Sequence, residues 1–221
     1  MKRVPEPELM DDPEQALAYG RADFEEPHSK FIKLLVGFRS QVGHIDTILD
    51  MGCGTGDITF RVGRAFPDSV IDAIDGSAAM LYYAKEGLKK SPELEGRVHF
   101  IHGKIQEFAP GKSYDLIVSN SLLHHLSDPA HFWSAVKRLS ASGTGVFIMD
   151  LLRPGTAGEA RRLVETYSPD EPEILKRDFY NSLLAAFEIG EVKQQLEEAG
   201  LGGFETARAS DRHLIVYGIR N

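Results

Sequence analysis

Cysteine is almost absent: Cys53 is the only one in 221 residues. An internal disulfide is thereby excluded, and the usage suits a reducing compartment, so a cytoplasmic protein is expected. No apolar run is long enough to cross a bilayer; the stretch from Phe31 to Phe38 is short and contains Lys33. The N-terminus, Met1-Lys2-Arg3-Val4-Pro5-Glu6-Pro7-Glu8, has no signal-peptide apolar core. No long basic cluster occurs, and the formal net charge is −8, which argues against a nucleic-acid partner. Repeats and low-complexity segments are also missing. What remains is an ordinary globular composition, 42% hydrophobic and 26% charged, in a chain long enough for one well-buried α/β domain.

The most informative stretch runs from Ile45 to Asp57. An apolar, β-prone run leads into glycines 52, 54 and 56, and a helical pattern follows from Thr55 to about Ala65. Strand, glycine turn and helix make a corner for a phosphate or a nucleoside. A dinucleotide fingerprint needs its third glycine three positions after the second, where Asp57 stands here. A Walker A ending of Gly-Lys-Ser/Thr is absent as well. The acid before the glycines, Asp50, would repel a pyrophosphate but can take the ammonium of an amino-acid ligand.

The pattern Asp50-x-Gly52-x-Gly54-x-Gly56 resembles motif I of the class I S-adenosylmethionine-dependent methyltransferases. A second strand, Val70 to Asp75, ends on an acid about twenty residues beyond the glycines. Asp75 is placed to accept from both hydroxyls of a ribose, as the family's ribose-binding acid does. Gly76 follows it, Ser77 is a good N-cap for a helix to about Lys90, and Met80 is expected on the adenine face. After a third strand, Val98 to His102, the family usually has an aspartate. Lys104 stands here and cannot accept, so adenine recognition is expected from the backbone at Lys104 and Ile105. The run Asp115 to Leu126, at the end of a fourth strand, resembles the family's motif IV. It places Asn120, His124 and His125 near the sulfonium and the acceptor, with one histidine as candidate base. His124, His125 and His131 do not match zinc spacings, and no metal is expected. Tyr19, in the connector between two N-terminal helices, is a further candidate cofactor contact.

A fifth strand, Val146 to Asp150, precedes a helical insertion. Thr156-x-x-Glu159 is a capping-box signature, and Pro172 opens a second inserted helix. A regular helix, Glu191 to Ala199, and two strands, Phe204 to Ala207 and His213 to Gly218, close the chain. The resemblance implies a doubly wound α/β sheet of seven strands, order 3-2-1-4-5-7-6, with the last antiparallel. It also implies one domain: a helical cap (1–44), a cofactor-binding core (45–150), a lid (151–187) and a C-terminal helix and hairpin (188–221). The implied reaction is methyl transfer from S-adenosylmethionine to a small molecule. Arg153, Arg212 and His213 follow strands at the expected rim of the site, with Tyr180 and Asn181 on the lid above. They are expected to hold an acceptor, one with an anionic group if the arginines face it. The rival readings are a non-catalytic S-adenosylmethionine-binding protein and an NAD-dependent oxidoreductase.

Overall fold

Strand β1 (Thr47–Met51) lies at the middle of a seven-stranded sheet with the order β3-β2-β1-β4-β5-β7-β6. The computed structural model describes residues 1–7 and 13–221. β2 (Val70–Asp75), β3 (Val98–His102), β4 (Tyr114–Asn120) and β5 (Ser140–Leu151) run parallel to β1. β7 (His213–Ile219) is antiparallel to β5 and to β6 (Glu205–Arg208). Order and polarity are those the resemblance implied.

The central strands are apolar on both faces because both faces are covered. Ile48, Leu116, Val118 and Phe147 meet helices α2 (Glu25–Phe38) and α3 (Asp57–Ala65) on one side. Leu49, Ile117 and Ile148 meet Trp133 of α5 (Ala130–Leu139) and Leu196 of α8 (Ile189–Glu198) on the other. α4 (Ala78–Leu88), capped by Ser77 Oγ accepting from the Met80 N–H, packs on Ala73 and Cys53. Every parallel strand ends on the same edge, where the loops can build a site.

Element boundaries moved for local reasons. α3 starts at Asp57 because Gly56 is left-handed, with φ +86°. β5 starts six residues before the expected Val146, and its register against β4 shifts between Tyr114 and Leu116. Thr144 fills that irregularity, its hydroxyl donating to the Tyr114 carbonyl at 2.6 Å. The box expected at Thr156 is half formed: Thr156 Oγ1 accepts from the Glu159 N–H, but the Glu159 carboxylate turns to the Gly155 N–H. A full capping box forms instead at Glu188 and Glu191 and starts α8 two residues early.

The insertion forms α6 (Ala157–Tyr167) and α7 (Glu173–Ala185), which pack on each other. α1 (Pro13–Arg21) lies against α4 and α7. Asp12, which precedes Pro13 in the sequence and suits an N-cap, is outside the described residues. Residues 1–7 are not helical; they run beside the end of α7, where the Val4 N–H donates to the Leu184 carbonyl.

Candidate active site

A cavity of about 550 Å³ opens at the carboxyl ends of β1, β2 and β4, roofed by the N-terminal helices and α7. Its floor is the glycine turn. Gly52 has φ +73°, and a Cβ there would come within 2.8 Å of Leu122. Gly54, φ +53°, has open space where its Cβ would point, and that space belongs to the cavity. The first glycine is thus required by the protein's own packing, and the second leaves room for a ligand.

Three polar groups ring this floor. Asp50 is 1% exposed and accepts from Thr59 Oγ1 at 2.6 Å. Burial pushes its carboxyl up to about 7, with Asp75 adding to the rise. Asp75 holds the turn from the other side, accepting from the Gly54 N–H and the Ser77 N–H, each at 2.8 Å. Asn120 lines the cavity, and its buried Oδ1 has no hydrogen-bond partner. Next to it Ser121 holds φ +56°, a left-handed backbone at a non-glycine position on the cavity wall. Gly76, Met80, Lys104 and Ile105 line the far end, joined by Gln106. The Lys104 carbonyl is taken by the N–H groups of Glu107 and Phe108. Tyr19 lines the roof beside Phe24, ring centroids 4.6 Å apart, and burial pushes its hydroxyl up to about 12. Burial raises the Cys53 thiol as well, which suits a packing residue.

His124 and His125 occupy a short 3-10 turn after β4. Both line the cavity, but neither is a free base. His124 Nδ1 is 2.6 Å from Asp150 Oδ1, and its Nε2 is 3.5 Å from Glu6 Oε1. Burial alone would lower its pKa, but Asp150 and Glu6 together raise it. His125 goes the other way: burial and the neighbouring His124 push it down to about 3. Its Nδ1 lies 3.2 Å from Glu6 Oε1 but at an angle that makes no hydrogen bond. Glu6 has no signal in the sequence that could have linked it to these histidines.

The expected acceptor residues divide. Arg212 and His213 line the cavity. Arg212 donates to Glu26 Oε2 at 2.5 Å and lies over the Tyr167 ring, 3.3 Å from its centroid. His213 is buried, with Ser210 Oγ 2.9 Å from its Nδ1, and burial beside Arg212 pushes it down to about 3. Arg153, Tyr180 and Asn181, expected around the acceptor, do not line the cavity. Arg153 is 7% exposed and held by Glu188 at 3.0 Å, Glu191 at 2.8 Å and the Ala186 carbonyl. Tyr180 packs in the α6–α7 cluster under Arg161. The α7 residues that do face the cavity are Leu175, Asp178, Phe179 and Ser182, one stripe of the helix, with Asn181 off it.

The description "Methyltransferase domain" belongs to the family model that matches residues 49–146. The match agrees with the resemblance to the class I S-adenosylmethionine-dependent methyltransferases. Among curated members it is 34% identical over 123 residues to malonyl-[acyl-carrier protein] O-methyltransferase 1 of Ilyobacter polytropus, covering 56% of this chain and 44% of that one. It is 32% identical over 100 residues to tRNA1(Val) (adenine(37)-N6)-methyltransferase of Pedobacter heparinus, covering 44% and 42%. The chain thus spans less than half the length of these methyltransferases. The plantazolicin methyltransferase BpumL, solved with SAH, superposes with a TM-score of 0.73 over 95% of this chain and 91% of that one, at 17% identity. Among the described residues no helix is long and apolar enough to cross a membrane.

Proposed function

We propose that the chain binds S-adenosylmethionine in this cavity and transfers its methyl group to a small-molecule acceptor. The observation that carries the proposal is the glycine floor with a polar group on each side. Gly54 leaves a space that any side chain would fill, Asp50 is a buried acid awaiting a cation, and Asn120 Oδ1 is a buried acceptor without a donor. An amino-acid ammonium suits the last two, and Asp75 at the end of β2 suits a ribose. When bound, S-adenosylmethionine supplies an electrophilic methyl on a sulfonium that is already a good leaving group.

The chain's own contribution is placement and exclusion of water. Phe24, Leu126, Leu151, Leu175 and Phe179 give the acceptor side an apolar wall, and Ser182, His213 and Arg212 give it polar points. Both nitrogens of His124 face carboxylates. A simple base role for that residue is therefore disfavoured, and the acceptor's proton has to leave by another group. The finer reading, an acceptor with an anionic group, now rests on Arg212 and not on Arg153. A relative named for a malonyl substrate is consistent with it. A nucleic-acid acceptor, as in the tRNA relative, fits poorly with a net charge of −8 and with Ser119-Asn120-Ser121-Leu122 after β4.

The test has two arms. Calorimetry should find binding of S-adenosylmethionine and none of NAD. A panel of hydroxyl, amine, thiol and carboxylate acceptors should then be screened for release of S-adenosylhomocysteine. Cofactor binding without turnover on any class of acceptor would favour a non-catalytic binding protein, and NAD binding would sink the reading altogether.

A further inference from the structure

Three side chains converge at the acceptor side of the cavity from sequence positions more than a hundred residues apart. Glu6 comes from the extended N-terminal segment, and His124 and His125 come from the turn after β4. Glu6 Oε1 lies 3.5 Å from His124 Nε2 and 3.2 Å from His125 Nδ1, and the three atoms all fall within 4.8 Å of one another.

The protonation of this group is awkward. The His125 ring packs against that of His124, ring centroids 4.2 Å apart. Its Nδ1 is buried and has no hydrogen-bond partner, yet it faces a carboxylate oxygen. With no hydrogen bond of its own, Nδ1 is free to present a lone pair toward Glu6 Oε1. Two lone-pair atoms 3.2 Å apart repel unless a positive centre stands between them.

The two distances from Glu6 Oε1 to the imidazole nitrogens suit a metal ion as that centre. Ligands ~2.0–2.1 Å from a tetrahedral zinc lie roughly 3.3 Å from each other along the tetrahedron's edge. The supporting groups suit one too. Asp150 Oδ1 is 2.6 Å from His124 Nδ1, the carboxylate–histidine arrangement that turns the other ring nitrogen toward a metal. Ser182 Oγ donates to Glu6 Oε1 at 2.9 Å and fixes the carboxylate. Arg3 ties the N-terminal segment in place, donating to the carbonyls of Ala185, His124 and Leu126. His124, His125 and Ser182 all line the cavity, so a fourth coordination position can open onto it.

We infer that Glu6, His124 and His125 form a three-ligand site for a divalent transition metal of the zinc class, open to the acceptor. Two imidazoles and a carboxylate with one open position are the donor set of catalytic rather than structural zinc. A hydroxyl or thiol held at that position would have its pKa lowered, which answers the lack of a free base nearby. No spacing rule could have found the site, because Glu6 stands 118 residues before His124.

The experiment uses the intact chain, stripped with a chelator and titrated with Zn²⁺ against a chromophoric competitor. One zinc per chain is expected, and Co²⁺ in its place should give the visible absorption of tetrahedral cobalt. Glu6→Gln and His125→Ala should each weaken zinc binding by about 100-fold or more, beyond the 10–100-fold typical of losing an outer-shell partner. His44→Ala, at an exposed histidine, should change nothing. Circular dichroism on each variant shows that it is folded. No stoichiometric zinc, or a folded Glu6→Gln chain that binds zinc like the parent, overturns the site. In that case a proton shared between Glu6 and His125 separates the two atoms. Neither cofactor nor acceptor enters the measurement, so this proposal and the methyltransferase reading fail separately.

Discussion

Asp50→Asn tests the ligand corner through its pH dependence. Asp50 is 1% exposed, and burial pushes its carboxyl up to about 7. Against an ordinary value of ~3.9, and at ~1.4 kcal/mol per pH unit, charging it in the empty site costs ~4 kcal/mol. The sign follows from linkage. The folded-state pKa lies above the unfolded one, so the folded chain holds the extra proton between about pH 4 and 7. The empty protein therefore loses stability from this residue as pH rises through that window. A ligand ammonium reverses the preference, because it pairs with the carboxylate and not with the acid.

At pH 6 the carboxyl is about 90% protonated, and a ligand that needs it charged gives up ~1.4 kcal/mol to remove the proton. S-adenosylhomocysteine should accordingly bind about tenfold more weakly at pH 6 than at pH 8. Asp50→Asn should remove this slope, and its empty form should no longer lose stability between about pH 4 and 7. Calorimetry at four pH values, with thermal melts of the empty protein alongside, reads both effects. A parent affinity that is flat between pH 6 and 8, or a slope that survives in Asp50→Asn, would refute the argument.

Other substitutions probe the remaining contacts. Asp75→Ala should weaken cofactor binding by ~1.5–3 kcal/mol, the scale of hydrogen bonds to a charged group, as isothermal calorimetry would report. Gly54→Val should abolish cofactor binding and, at φ +53°, also lower the melting temperature, whereas Gly52→Ala should lower it further because its Cβ meets Leu122 at 2.8 Å; a folded Gly54→Val chain that binds the cofactor like the parent would contradict the reading. Arg153→Gln should cost ~1.5–3 kcal/mol of stability in urea unfolding and leave the acceptor's KM alone. Arg212→Gln should instead raise that KM and leave cofactor affinity unchanged.

The cofactor corner was readable because it is local. Strand, glycines, helix and the acid of β2 fall within about thirty residues, and the φ values of +73°, +53° and +86° at the glycines explain why those residues stand there. The strand order came with the resemblance to a known family. What could not be read is contact over distance. Arg3 and Glu6 reach the histidines from the N-terminus, and nothing in their neighbours announces it. The lid was a matter of helix phase. Leu175, Asp178, Phe179 and Ser182 recur at three and four residues, a readable stripe, while Leu183 packs in the α6–α7 cluster instead. Tyr180 and Asn181 fall off the stripe.

The arginines show why net charge misleads at a single site. In a chain with 33 acids and 25 basic residues, a buried arginine meets a carboxylate of its own chain before it meets a ligand. Arg153 is the extreme case, closed off by two glutamates and a carbonyl. Among the described residues, Arg212 differs in lacking such a buried carbonyl: its pairs are Glu26 and, at 3.5 Å, Asp211, both exposed. The Arg212 side chain is 7% exposed, but that of Glu26 is 63% exposed. Releasing Glu26 to water costs little, because a largely solvated carboxylate gains little from its pair. The Tyr167 ring keeps the guanidinium in place over the cavity while the partner changes. On the proposed reading, an acceptor anion would take the position of Glu26 at Arg212 and would find no equivalent exchange at Arg153.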